Sequence, residues 1–173
     1  MNAQAATATK TSPDFVLSRV FDAPRELVWK CFTQPEHVAK WWGPKGVTAG
    51  VVKLDLRPGG MCHYTMTTPD GMVMWGKSVY REIVAPERLV FINSFSDENA
   101  GVTRHPFGPS WPLEMFTVLT FEDQPGGKTK LTIRWSAHNP TAEEQQTFDA
   151  GHDSMRMGWT GSLDQLEAYL AKR

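Results

Sequence analysis

The spacing of apolar positions changes character twice along the chain. Phe15, Leu17 and Phe21 alternate with Val16, Ser18 and Val20, which predicts a strand. Asp22-Ala23-Pro24 then reads as a helix start, with Asp22 as N-cap and Pro24 in the first turn. That helix is expected from Pro24 to Phe32, burying Leu27, Val28, Cys31 and Phe32. Thr33-Gln34-Pro35 ends it and starts a second short helix through Trp42, whose apolar residues are Val38, Trp41 and Trp42. Gly43-Pro44-Lys45-Gly46 closes this part. From Val47 the period is two. Strands are expected from Val47 to Leu56, Met61 to Thr67, Met72 to Val84, Arg88 to Phe95, Met115 to Glu122 and Lys128 to Ser136. The turns Arg57-Pro58-Gly59-Gly60, Thr68-Pro69-Asp70-Gly71 and Gln124-Pro125-Gly126-Gly127 separate several of them.

After Pro140 the period becomes helical. Thr141 with Glu144 forms a capping-box pattern. Leu163, Leu166 and Leu170 define one face, and Trp159, Met155 and His152 extend it toward the N-terminus. The face therefore runs from an aliphatic end, expected to be core, to a mixed end suited to meeting something other than protein. Gly151, Gly158 and Gly161 each cost roughly 1 kcal/mol against Ala inside a helix. They predict a break between Gln146 and Gly161, or close approach of another backbone.

Strand, two short helices, six strands and a long helix make an α+β chain. The hairpin-connected strands imply one antiparallel sheet whose apolar face needs a cover, and the C-terminal helix is the element long enough to supply it. A curved sheet wrapped on one helix leaves a cavity at the Trp-Met end. The irregular stretch from Ser96 to Pro112 reads as a lid or binding loop, or else a surface excursion. Phe107 and Trp111 favour a loop that packs on something.

At 173 residues the chain is expected to be a single domain over 14–173, preceded by a disordered tail over 1–13. A net charge of −1 gives no electrostatic case for nucleic acid or an anionic membrane. No apolar run approaches the ~20 residues that span a bilayer, no signal-peptide layout is present, and a cytoplasmic location is expected. Cys31 and Cys62 are expected as reduced thiols. Seven tryptophans and eight methionines suit an adaptable cavity, or alternatively a large aromatic core.

The candidate lining of the cavity is Trp41, Met74, Phe91, Met115, Trp135, Met155 and Trp159, with His152 as its polar member. His152 with Asp149 one turn earlier is a candidate acid–base pair, Glu114 is a candidate buried acid, and the alternative for each is an ordinary exposed or capping role. His63 and Cys62 are neighbours on a strand, so only one of them can face the helix. The five histidines show no metal-binding spacing, and no phosphate loop is present. No metal, nucleotide or other cofactor is expected.

Several motifs together resemble the SRPBCC superfamily. They are Arg19-Val20-Phe21-Asp22-Ala23-Pro24 with Val28-Trp29, Pro35-Glu36-His37 running into Trp41-Trp42-Gly43-Pro44, and Asp55-Leu56-Arg57-Pro58-Gly59-Gly60. Glu82-Ile83 with Pro86-Glu87-Arg88-Leu89-Val90, and Gly158-Trp159 before Leu163 and Leu166, complete the set. The matching branch is the activator of heat-shock protein 90 ATPase-like proteins, near the polyketide cyclases and calicheamicin-resistance proteins. The resemblance spans Phe15 to Leu170. It implies a helix-grip fold, START-like, with about seven strands (β-α-α-β6-α) around a long C-terminal helix. These motifs are largely scaffold, and fold alone does not choose a function.

Three functions follow as expectations. The first is binding of a small hydrophobic or aromatic molecule between sheet and helix. The second is a protein–protein module stimulating a chaperone ATPase, which a single domain makes less favoured. The third is a metal-independent cyclase or hydrolase using an acid–base residue of the cavity. A homodimer through an edge strand is compatible with all three.

Overall fold

In the computed structural model, which describes residues 13–173, the alternating segments pair into one antiparallel sheet. The expected tail therefore lies, except for Pro13, outside the described residues. The strands are β1 (Phe15–Phe21), β2 (Thr48–Leu54), β3 (Met61–Thr67), β4 (Val73–Val84), β5 (Arg88–Ser96), β6 (Val102–Thr103), β7 (Glu114–Gln124) and β8 (Lys128–His138). Their order across the sheet is β1-β8-β7-β5-β4-β3-β2, with β6 added on β5. Four helices complete the fold: α1 (Arg25–Thr33), α2 (Pro35–Trp41), α3 (Ala142–Ala150) and α4 (His152–Leu170). This is the helix-grip arrangement, with seven strands in the main path and the two-residue β6 supplied by the long loop.

Period-two patterning decides which side of the sheet meets α4. Phe15, Phe21, Leu119, Phe121, Leu131 and Ile133 are all at most 1% exposed and join the core cluster that includes α4. From α4 the buried side chains are Met155, Trp159, Leu163, Leu166 and Leu170. Burying each contributes about 1.5–3 kcal/mol, and this outweighs the weak intrinsic helicity of a segment with two internal glycines.

Thr141 caps α3 through both bonds of the capping box: Glu144 N–H donates to Thr141 Oγ1 at 3.2 Å, and Thr141 N–H donates to Glu144 Oε2 at 3.0 Å. The helical segment then breaks at Gly151, inside the expected interval. A Cβ on Gly151 would come within 3.1 Å of the Thr147 carbonyl oxygen, while the Trp111 ring of the long loop lies at ordinary contact distance, 3.4 Å. Gly158 and Gly161 have open space around them, and backbone approach does not explain them.

The expected start of the first helix needs correction. Pro24, extended at φ −66° and ψ 150°, is the N-cap of α1, and no side chain caps it. The Pro24 carbonyl accepts from Leu27 and Val28, so the helix begins one residue later and Asp22 stays outside it. Trp29, left off the expected buried face, packs on Phe121 with centroids 5.3 Å apart.

Candidate functional site between the sheet and the N-terminal half of α4

A polar row crosses the inner face of the sheet. The register pairs Cys62 with Ser78, Ser78 with Asn93, and Asn93 with Met115. Thr117, fully buried two residues along β7, donates its hydroxyl to Asn93 Oδ1 at 2.6 Å and accepts from Trp135 Nε1 at 2.6 Å. Alternation puts all these side chains on the face that carries Leu119 and Ile133. Neutral hydrogen-bonding groups thus run through an otherwise apolar interior, most of them paired, as burial requires.

Aromatic rings stand over this row. Trp159 lies 5.5 Å from Trp135 and 5.9 Å from Trp42, in edge-to-face geometry with both. Trp42 in turn stands edge-on to Tyr64, with ring centroids 5.7 Å apart. Tyr64 lies across Gly76, where a Cβ would come within 2.6 Å of the Tyr64 ring and hydroxyl. Glycine at 76 is therefore a condition for this aromatic position. A narrow, partly open void of about 30 Å³ lies beside Trp42, lined by Phe32, Val38, Tyr64, Ser78, Tyr80 and Phe91 among others.

Two polar atoms in this region are buried without a hydrogen-bond partner: Trp159 Nε1 and His152 Nε2. The His152 ring is wedged between Phe15 and Phe148, at 5.8 Å and 5.2 Å. Asp149 does not serve it. That carboxylate is exposed and accepts from Gln145 Nε2 at 2.9 Å, because the break at Gly151 takes α3 out of register with α4.

The remaining predicted site residues divide. Trp135, Met155 and Trp159 belong to the aromatic end, Met115 flanks the polar row, and Phe91 lines the void. Met74 shares the inner face with Gly76 but sits half-buried opposite Met66. Trp41 is core: its indole donates to the Cys31 carbonyl at 2.8 Å and packs on Phe32 at 4.8 Å. Its neighbour Trp42 is the residue that reaches Trp159. Glu114 lies on the face opposite Met115, paired in register with His138, and is no interior acid. His63 also points away from α4, stacking on Trp75 at 5.0 Å with its Nε2 against the Asp97 carbonyl at 3.1 Å.

Sequence reasoning missed Trp42, Asn93, Thr117 and Ser78. The available signal was a polar residue recurring at inward strand positions, where alternation demands an apolar one.

Burial governs the two thiols and the inner phenols. It pushes the Cys62 thiol up to about 12 and the Cys31 thiol to about 11, so both are protonated at neutral pH and poor nucleophiles. Burial likewise raises the Tyr64 and Tyr80 hydroxyls well above the ordinary phenol value. Among the described residues no three His, Cys, Asp or Glu side chains converge as a metal ion needs.

The long loop closes one end of this interior. Trp111 packs on Trp135 at 6.5 Å and on Phe148 at 6.3 Å. Arg104 pairs with Glu144 and ties the loop to α3. His105 packs edge-on against Phe95 at 4.7 Å, and desolvation holds its pKa below the ordinary histidine value. Phe107, expected to pack as Trp111 does, is instead 70% exposed.

Among the described residues no helix is long and apolar enough to cross a membrane. No curated protein matches the chain significantly. It is similar to a Mycobacterium smegmatis protein known by its crystal structure, at 28% identity over 92% of this chain and 91% of that one, with a TM-score of 0.73. It is also similar to an Arthrobacter aurescens protein known by solution NMR, at 26% identity over 94% and 88%, with a TM-score of 0.77. A Silicibacter pomeroyi protein whose crystal structure is described as AHSA1 shares the fold at 21% identity over 91% and 97%, with a TM-score of 0.67. The profile of the activator of Hsp90 ATPase homolog 1-like proteins matches residues 22–171, and the chain belongs to that family.

Proposed function

We propose that the chain binds a small hydrophobic or aromatic molecule between the inner face of the sheet and the N-terminal half of α4. The observation that carries this reading is the Trp159 indole N–H, buried without a partner among aromatic rings beside the void. Leaving such a donor unpaired costs ~1–3 kcal/mol, which an acceptor on a bound molecule recovers. A void of about 30 Å³ holds one water rather than a ring system. Entry of a ring therefore requires a side chain to yield. Trp42 is the candidate, because it is half-buried at the end of α2 and precedes Gly43 at φ +97°. Contacts with three or four of these aromatic and methionine side chains amount to roughly −8 kcal/mol, or micromolar affinity. Binding is the proposed activity: among the described residues no carboxylate is paired with His152, and burial keeps both thiols protonated.

Thermal unfolding against naphthalene, fluorene and fluorenone tests the reading. A ligand at 100 times its dissociation constant stabilises by about 2.7 kcal/mol. For a chain of this size that raises the midpoint by on the order of 5–10 °C. Ser78→Leu, which fills the void, is expected to abolish the shift while circular dichroism shows an intact fold. Unchanged midpoints and unchanged tryptophan emission with all three compounds would reject ligand binding.

A further inference from the structure

Resting on the ligand-binding reading, we infer that the occupant is an uncharged ring molecule carrying an oxygen acceptor, and that Trp159 Nε1–H receives that oxygen. An indole nitrogen donates and never accepts, so its missing partner is a hydrogen-bond acceptor, and a ring ketone or ether oxygen is the uncharged form of one. Two neighbouring indoles of this interior are satisfied: Trp135 by Thr117 and Trp41 by the Cys31 carbonyl. Among the described residues Trp159 holds the one buried indole N–H without a hydrogen-bond partner, and the residue is only 8% exposed.

Its position makes it reachable. Trp42 meets both the Trp159 ring and the void: its ring centroid lies 5.9 Å from that of Trp159, and it lines the void. A ring that takes the place of Trp42 comes against the Trp159 indole.

The charge of the occupant follows from its surroundings. The row of Cys62, Ser78, Asn93 and Thr117 is neutral, and so are Met155 and Trp159 opposite it. Arg19, on the inner face of β1, is engaged by Asp164 at 2.6 Å and Glu167 at 3.2 Å beside the aliphatic part of α4. Arg156 is exposed and lies over the Phe15 ring at 5.3 Å. An anion on the Trp159 N–H would sit among neutral rings, with His152 and Arg156 at the Phe15 end of α4 as the basic groups of that half, and burying an ion without a direct counter-charge is costly.

The test compares fluorenone, fluorene and fluorene carboxylate by calorimetric titration against the wild type, Trp159→Phe and Trp29→Phe. The ratio of fluorenone to fluorene affinity is expected to fall about tenfold in Trp159→Phe and to stay unchanged in Trp29→Phe, whose ring packs on Phe121 away from the site. The carboxylate is expected to bind at least tenfold more weakly than fluorenone. On the wild type, the infrared carbonyl stretch of bound fluorenone is expected below its position in hexane, a readout that needs no variant. An unaltered ratio in Trp159→Phe, or a carbonyl stretch at the hexane position, overturns the inference while ligand binding stands. Carboxylate affinity equal to that of fluorenone overturns the neutral-occupant part. Failure of all three compounds to bind overturns this inference and the proposed function together.

Discussion

The two halves of α4 bury similar amounts of side chain to different ends. Leu163, Leu166 and Leu170 in the C-terminal half pack against strands with nothing polar left over. The surface beside them is tied down, by Arg19 to Asp164 and Glu167, and by His37 Nδ1 to the Tyr169 hydroxyl at 2.8 Å. The N-terminal half buries Met155 and Trp159 equally well, yet leaves Trp159 Nε1 and His152 Nε2 without partners over a polar strip of sheet. Depth of burial is therefore a poor guide to role in this protein. Unsatisfied hydrogen-bonding capacity separates the two halves.

Truncation sharpens the comparison most. Leu166→Ala removes a fully buried side chain and is expected to cost ~2–5 kcal/mol, lowering the unfolding midpoint by on the order of 10 °C. Trp159→Phe keeps a ring in place and removes the orphaned donor, so its expected cost is below about 1.5 kcal/mol. Denaturant titration of both variants checks the difference, and equal losses would erase the distinction between the halves.

Two substitutions address the strip under Trp159. Thr117→Val strands Asn93 Oδ1 and Trp135 Nε1 together and is expected to destabilise by ~1–3 kcal/mol, seen as a lower urea midpoint with an unchanged slope. Gly76→Ala drives a methyl into Tyr64 and is expected to cost ~1–3 kcal/mol. It should also raise exposure of Trp42 to acrylamide quenching. A silent Gly76→Ala would mean that Tyr64 is free to move.

The smallest effect concerns pH at the closing loop. The folded-state pKa of His105 is lowered by burial, so folding favours the neutral ring. Stability from this position is complete above the unfolded value near 6.5 and declines as pH falls from there through the lower folded value. Glu144 behaves as a carboxylate lowered by its bonds to Arg104 and the Thr141 backbone: its contribution holds above the unfolded carboxylate value and is lost as pH falls through the depressed one. His105→Phe should flatten the stability profile just below pH 6.5, and Glu144→Gln should flatten it in the more acid range. Thermal midpoints measured across pH distinguish the two steps.

The fold was legible because long alternating segments, turn glycines and a capping box all report locally. Seven strands, the α3 cap and the break near Gly151 follow from those signals. The site was less legible. Trp41 and Trp42 are adjacent on a short helix, and periodicity over seven residues does not say which one turns inward to Trp159. Glu114 stands one residue from Met115, and a single step along a strand moves a side chain to the opposite face. Asp149 and His152 hold helical spacing in sequence, but Gly151 breaks the helix between them. Asn93 and Thr117 became informative only once register placed them on adjacent strands facing α4.

A ligand at the indole end of α4 is reported by the indole N–H resonances themselves. A ¹⁵N-labelled sample, with Trp159 and Trp29 assigned through their phenylalanine variants, is titrated with fluorenone. The Trp159 N–H signal is expected to move furthest and Trp42 to follow, while Trp29, packed on Phe121, stays in place. A Trp159 signal that stays fixed at saturating fluorenone, or that moves no more than Trp29, would contradict a ligand at this end of α4.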